Sequence, residues 1–164
     1  INGQYQRDQK LTGLAFLADN NEFGTKLPED IRGYFTVSKD GRKIEANEQL
    51  KGGIKDYWIV IGTHPLLVTN GEVNGQAKED RYNNVSAYRS AIGTKNGKGI
   101  CFAVSEDKTT MAEWAQRLQG LGYQGAINLD GGPYSQMAVR ENNNVITHGN
   151  GNQKSRVVIF SYKK

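Results

Sequence analysis

Three acidic residues of this sequence stand closely behind two short apolar segments, where strands would end. Glu106 and Asp107 follow residues 99–104, and Asp130 follows residues 126–129. Carboxylates gathered in a cleft can act as base or nucleophile, and three of them could bind Ca²⁺ or Mg²⁺ through oxygen ligands. The pattern therefore predicts a site, provided that both strands end at the same edge of one sheet.

The segment between the two predicted strands favours a helix over residues 110–121. Thr110 and Glu113 have the spacing of a capping box, in which the hydroxyl accepts a helix N–H and the carboxylate reaches back. Apolar residues then recur at helical spacing and give one buried face. Strand, helix and strand form a βαβ unit, so segments 99–104 and 126–129 are expected to run parallel. Ligands bind beyond the carboxyl ends of such strands.

A predicted hairpin would place a positively charged side chain, that of Arg89, at this edge. Asn96 and Gly97 predict a two-residue turn, because glycine accepts the positive φ that a tight turn needs. On that register, Arg89 lies opposite Val104 and hence beside the carboxylates. A guanidinium there would bind a phosphate or another anion through forked hydrogen bonds.

The other segments are typical of a strand-rich domain with many turns. Asp40-Gly41 and Asn70-Gly71 predict two further hairpins. We predict an α/β (α+β) fold over residues 1–164: a mixed, twisted sheet with several β-hairpins and one βαβ unit. Five further segments complete this prediction: strands 14–18 and 57–61, a polar loop over 74–86, and strands 137–140 and 156–161 around an Asn-rich turn at 142–144.

Composition and charge exclude several classes of protein. The 164 residues include 20 Gly, which few helical bundles tolerate, and one cysteine, Cys101, which excludes an intramolecular disulfide and Cys-rich metal modules. No apolar run approaches the ~18 residues of a membrane helix, and no signal-peptide pattern opens the chain. The net charge of +4 comes from scattered basic residues, whereas nucleic-acid binders concentrate theirs on one face.

Structural roles are the alternative for each of these residues. Asp-Gly-Gly is a common exit from a strand, and Arg89 could form a surface ion pair with Glu106 that contributes little. His64 and His148 fit ordinary loop histidines. Asn128 argues for a built site, because a polar residue inside the short segment 126–129 needs buried partners.

Five segments, in order along nearly the whole chain, resemble the phosphodiester glycosidase family. They are Ile-Asn-Gly at 1–3, Pro-Leu-Leu-Val at 65–68 followed by Gly71, Arg-Ser-Ala-Ile-Gly at 89–93, Asn-Leu-Asp-Gly-Gly at 128–132 followed by Ser135, and Arg-Val at 156–157. The family's first strands, upstream of the Asn-Gly turn, are expected to be missing here. The aromatic that often follows that turn is replaced by Gln4-Tyr5-Gln6, and Tyr134 stands where a serine is common.

The resemblance implies hydrolysis of the bond between a sugar's anomeric carbon and a phosphodiester. Arg89 would hold the phosphate, Asp130 would act as nucleophile or base, and Glu106 or Asp107 would be the second carboxylate. No cofactor is expected, although Ca²⁺ or Mg²⁺ at Glu106, Asp107 and Asp130 is an alternative. The substrate-binding residues expected are Asn2, Gly3, His64, Asn128, Gly131, Gly132 and Ser135.

The expected partner is a carbohydrate or glycan that carries a phosphodiester, with no nucleic acid and no membrane span. The resemblance alone predicts an extracytoplasmic or secreted location, and it names neither the sugar nor the oligomeric state. A function of another class remains open, namely a non-catalytic carbohydrate-binding domain on the same scaffold.

Overall fold

The computed structural model describes residues 32–53, 56–79 and 85–150 in full, and four short strands between residues 6 and 23 by their bounds and pairing. Asn2 and Gly3, residues 74–86 in part, and the predicted strand 156–161 lie outside the described residues. The elements are β1 (Gln6–Arg7), β2 (Lys10–Leu11), β3 (Leu14–Leu17), β4 (Asn21–Phe23), β5 (Gly33–Ser38), β6 (Ile44–Asn47), β7 (Tyr57–Thr63), β8 (Leu66–Thr69), β9 (Glu72–Val73), α1 (Gly75–Glu79), β10 (Ser90–Thr94), β11 (Cys101–Val104), α2 (Met111–Gly120), β12 (Gly125–Asn128), β13 (Gln136–Glu141) and β14 (Asn144–Gly149).

These strands form two five-stranded sheets and two small ribbons. The central sheet has the order β11-β10-β12-β8-β9, and the second sheet has the order β4-β3-β7-β5-β6. Among the strands that the structure describes, β13 pairs with β14, and β1 pairs with β2. The strand-rich α+β class predicted from the sequence is confirmed.

The central sheet is covered on both faces, which explains why apolar residues follow one another directly in β8, β10 and β12. Side chains of one face, such as Leu67 and Ala126, pack against Trp114 and Leu118 of helix α2. Those of the other face pack against the second sheet and form a core that includes Phe35, Ile61, Ile92, Ile127 and Leu129. Each fully buried side chain of this kind contributes roughly 1.5–3 kcal/mol to folding.

Local signals predicted the helix and two of the hairpins correctly. Thr110 caps α2, and the reciprocal bonds of a capping box with Glu113 are both present. The Asn70-Gly71 turn joins β8 to β9, with φ of 53° and 79° at its two residues. Gly41, at φ 68°, lies in the turn between β5 and β6. Leu121, by contrast, lies beyond the helix and is exposed.

The register of the Asn96-Gly97 hairpin was predicted wrongly by one residue. Ser90, rather than Arg89, lies opposite Val104. The physical reason is the Asn96 side chain, whose Oδ1 accepts the backbone N–H groups of Lys98 at 3.0 Å and Gly99 at 3.2 Å. These bonds stabilise a wider loop between β10 and β11 than a two-residue turn.

The two strands of the βαβ unit, β11 and β12, run in the same direction as predicted, but β10 lies between them. β10 pairs antiparallel with both β11 and β12, so the last two run parallel without being neighbours. All neighbouring strands of the central sheet pair antiparallel. The prediction of a mixed sheet, with parallel and antiparallel pairs, was wrong in this respect.

Two further predictions need correction. The strand that pairs with β13 across the Asn-rich turn is β14, from Asn144 to Gly149, where no strand was predicted. The predicted loop at residues 74–86 contains helix α1, whose Ala77 is fully buried. No helix among the described residues is long and apolar enough to cross a membrane.

Candidate active site

Four chain segments meet at one edge of the central sheet. The start of β10, the end of β11 and the end of β12 lie together, because Ser90 pairs with Val104 and Ala91 with Asn128. The start of β8 joins them, since the Asn128 N–H donates to the carbonyl of Pro65 at 3.1 Å. His64, Arg89, Glu106 and Asp130 thus belong to the same edge, as predicted for three of them from the strand ends.

Arg89 is buried and held by main-chain carbonyls. Its side chain is 5% exposed. Nε donates to the carbonyl of Thr109 at 3.2 Å and Nη2 to that of Val85 at 2.6 Å. The Arg89 backbone N–H donates to Ser105 Oγ at 2.8 Å. A guanidinium fixed in this way is oriented before any ligand binds.

The turn after β12 brings the backbone of Gly131 close to Arg89, Ser135 and Tyr88. A Cβ on Gly131 would lie 3.9 Å from Arg89 Nη1, 4.0 Å from Ser135 Oγ and 3.1 Å from the carbonyl of Tyr88. Gly132 follows at φ +65°, which glycine adopts without strain. The glycines therefore let the backbone of this turn approach Arg89 and Ser135 closely.

Asp130 precedes Gly131, and its carboxyl is a weaker acid than that of an ordinary aspartate. Burial raises its pKa from 3.8 to about 6, although a hydrogen bond from the Gly131 N–H to Oδ1, at 2.9 Å, acts in the opposite direction. Burial disfavours the charged carboxylate, whereas a donor to it favours the charge. Asp130 is therefore mostly ionised at neutral pH and becomes protonated around pH 6, which suits a group that exchanges protons.

The other two carboxylates are exposed and bind other elements. Asp107 forms a two-pronged ion pair with Arg117 of α2, at 2.6 and 3.0 Å. Glu106 Oε1 lies 2.8 Å from His148 Nδ1, and its Oε2 accepts the Gly149 N–H at 3.4 Å. Hydrogen bonds from these partners lower the pKa of both carboxyls.

The described residues do not gather three metal-binding side chains. Within ranges 32–53, 56–79 and 85–150, no group of three His, Cys, Asp or Glu is placed to hold one metal ion. Glu106, Asp107 and Asp130 share an edge, but the first two point to β14 and to α2, respectively.

The predicted binding residues take different positions at this edge. Ser135 is fully buried, and its Oγ has no hydrogen-bond partner among the described residues. Asn128 is fully buried at the end of β12, and His64 is partly buried just before β8. A buried hydroxyl without a partner costs roughly 1–3 kcal/mol, so Ser135 is a group available to a ligand.

Sequence analysis missed several groups that build this edge. His148 was interpreted as a loop residue, but it lies in β14 and pairs with Glu106 across 42 positions of sequence. Ser105 and Thr109 were given no role, although both bind Arg89. No local pattern indicates such contacts, because each depends on how distant strands are arranged.

Solved structures show the same fold in a known enzyme. The zebrafish N-acetylglucosamine-1-phosphodiester alpha-N-acetylglucosaminidase catalytic domain, auto-inhibited by its pro-peptide, is 21% identical to this chain, with a TM-score of 0.63. The match covers 82% of this chain and 51% of that one, so this chain spans about half of the zebrafish domain's length. A hypothetical protein from Synechocystis is 16% identical, with a TM-score of 0.41 over 89% of this chain and 39% of its own.

Sequence comparison identifies the family. A search of curated proteins finds no match. The family model described as phosphodiester glycosidase matches residues 1–160, which is nearly the whole sequence and includes every residue of the edge described above. The chain therefore belongs to the phosphodiester glycosidase family.

Proposed function

We propose that this chain hydrolyses the bond between the anomeric carbon of a sugar and a phosphodiester. Family membership supports glycosidase activity in general. The observation that carries the specific proposal is that a buried guanidinium, Arg89, and a partly buried carboxyl of raised pKa, Asp130, both adjoin Gly131. The guanidinium would bind the phosphate, and the carboxylate would supply the attack on the sugar carbon.

Arg89 binds the phosphate in this proposal. Its Nη1 lies 3.9 Å from the position that a Cβ on Gly131 would take, so this end of the guanidinium adjoins the Gly131 turn. A phosphodiester carries one negative charge, which a guanidinium binds through charge-assisted hydrogen bonds. The same bonds strengthen as charge develops on the departing phosphate, so Arg89 stabilises the transition state.

Asp130 supplies the attack on the sugar. Its carboxylate either removes a proton from the water that attacks the anomeric carbon, or attacks that carbon itself to form a glycosyl ester, which water then hydrolyses to regenerate the carboxylate. The glycosidic C–O bond breaks, its electron pair leaves with the phosphate oxygen, and the products are the free sugar and a phosphomonoester. That leaving group is already stable as an anion, so the reaction needs little help from a general acid.

Other residues of the edge complete the proposed substrate site. Ser135 Oγ would donate to a phosphate or sugar oxygen, since it has no partner among the described residues. Both predicted second carboxylates stay candidates, since Arg117 binds Asp107 while His148 and the Gly149 N–H bind Glu106. Asn2, Gly3, His64, Asn128 and Gly132 remain predicted binding residues.

Three further proposals concern the substrate, the domain organisation and the location, and family membership supports the first and the last of them. We infer a glycan or smaller carbohydrate that carries a phosphodiester, and a single domain that acts outside the cytosol. The zebrafish enzyme's name describes a sugar-1-phosphodiester of the same kind.

The proposal is tested by ³¹P NMR with a panel of sugar-1-phosphodiesters. The wild type should convert a phosphodiester signal into a phosphomonoester signal, and Asp130→Asn should not. Asp40→Asn is the matched control, because Asp40 lies in the exposed turn after β5, at the end of that strand remote from His64. A folded wild type that binds these compounds without any turnover would instead indicate a carbohydrate-binding domain.

A further inference from the structure

The Arg89 side chain is connected to the first turn of helix α2. Nε of Arg89 donates to the carbonyl of Thr109, the residue before the helix cap. Thr109 is 1% exposed, and its backbone forms a bridge with Ala87 on the strand approach to Arg89, with N–H to carbonyl distances of 2.9 and 3.2 Å. The Thr109 carbonyl thus fixes one side of the guanidinium.

The Thr109 side chain forms a hydrogen bond with Glu113. Glu113 Oε2 accepts the Thr109 hydroxyl at 3.2 Å, in addition to the Thr110 N–H and hydroxyl, both at 2.9 Å. A capping box accounts for the bonds with Thr110. It does not require the bond to Thr109, which lies outside the helix and on the side of Arg89.

We propose that Thr109 and Glu113 are positioning residues for phosphate binding: through the Thr109 hydroxyl, Glu113 fixes the carbonyl that orients Arg89 Nε. This inference rests on the proposed phosphate-binding role of Arg89. The helix cap then serves two purposes, and only one of them is the stability of α2.

Two substitutions separate these purposes. Thr109→Val removes the hydroxyl that binds Glu113 but leaves both capping bonds of Thr110 in place. Thr110→Ala removes the cap hydroxyl but leaves the bond between Thr109 and Glu113. Thr109→Ser retains the hydroxyl and serves as the conservative variant.

The first readout is the hydrogen-exchange rate of Arg89 Nε–H in ¹H–¹⁵N NMR spectra, assigned by its loss in Arg89→Lys. A donor released from its carbonyl exchanges faster, so we expect Thr109→Val to raise the rate about tenfold. Thr110→Ala should leave the rate unchanged while lowering the melting temperature. Thr109→Ser should restore the wild-type rate.

The second readout is steady-state kinetics with the sugar phosphodiester. Thr109→Val should raise KM and lower kcat, each about fivefold, because a less ordered Arg89 binds the phosphate more weakly and stabilises the departing phosphate less in the transition state. If Thr109→Val does not fold, Glu113→Gln replaces it, since a neutral amide caps the helix but binds the Thr109 hydroxyl more weakly.

The outcomes distinguish the two proposals. Unchanged Nε exchange in Thr109→Val, or an equal change in Thr110→Ala, would overturn the positioning role. A wild type without turnover would overturn the proposed function, while the exchange rates would still decide whether Thr109 orders Arg89.

Discussion

Replacing Asp130 with Asn should stabilise the protein at neutral pH. Burial raises the Asp130 pKa from 3.8 to about 6, so the folded chain holds this proton more tightly than the unfolded chain does. Between these two values folding takes up a proton, and the free energy of unfolding therefore falls as pH rises through that window. Above pH 6 the folded protein carries a buried charge at its full cost.

The magnitude follows from the size of the rise in pKa. A tenfold change in proton affinity is worth about 1.4 kcal/mol, so the rise from 3.8 to about 6 corresponds to about 3 kcal/mol at pH 7. Asparagine carries no charge and can still accept the Gly131 N–H through Oδ1. The gain is an upper limit, because solvent screens part of the charge of the partly exposed Asp130, and because an amide oxygen is a weaker acceptor than a carboxylate. For a chain of this size it corresponds to at most about 6–12 °C in melting temperature.

The assay is denaturant unfolding of wild type, Asp130→Asn and Asp40→Asn at pH 4, 5, 6 and 7. The advantage of Asp130→Asn should grow from near zero at pH 4 to its full value at pH 7. Asp40→Asn should show no such gain, because hydrogen bonds from Ser38 and Arg42 lower the Asp40 pKa. A difference between Asp130→Asn and wild type that is independent of pH, or a loss of stability at pH 7, would refute this reasoning.

Three substitutions test other parts of the account. Gly131→Ala should lower kcat/KM about tenfold and also lower the melting temperature, because its Cβ would lie 3.1 Å from the Tyr88 carbonyl and displace the turn beside Arg89; activity equal to wild type would exclude a substrate there. Gly93→Ala should cost about 3 kcal/mol or more in urea unfolding, because its Cβ would lie 2.3 Å from the Gly125 carbonyl, and a cost below 1 kcal/mol would contradict the close packing of β10 on β12. Thr110→Ala should cost about 1 kcal/mol by the same measurement, as the loss of a helix cap does, and no loss would mean that water replaces the cap.

The features that sequence predicted well depend on contacts between near neighbours. The capping box of Thr110 and Glu113 spans three positions, and the Asn70-Gly71 turn spans two. Such contacts are set by residue type and spacing alone. The shared edge for Arg89 and Asp130 was also predicted, because the directions of β11 and β12 follow from the helix between them.

The features that sequence did not predict depend on distant partners. Strand β10 lies between β11 and β12. The packing of whole strands decides this order, because several apolar segments have compositions that would suit the central position. The pairs Asp107–Arg117 and Glu106–His148 join residues 10 and 42 positions apart. Each carboxylate looked available in the sequence because its partner arrives only through the tertiary fold.

The Asn96-Gly97 hairpin shows how one side chain can change a register. The two-residue turn was predicted from the positive φ of Gly97, which is present at 70°. Asn96 Oδ1 additionally accepts two backbone N–H groups, and this widens the loop. Arg89 consequently pairs with Ser105 rather than Val104, through the bond from the Ser105 N–H to its carbonyl at 2.9 Å.

The most direct test of the central claim is the ³¹P NMR reaction run in ¹⁸O-labelled water. Attack at the anomeric carbon places the water oxygen on the sugar, so the phosphomonoester produced by the wild type should carry no label and show no isotope shift. Asp130→Asn should yield no product. An ¹⁸O-shifted phosphomonoester would mean attack on phosphorus, and it would contradict the assignment of this site as a glycosidase.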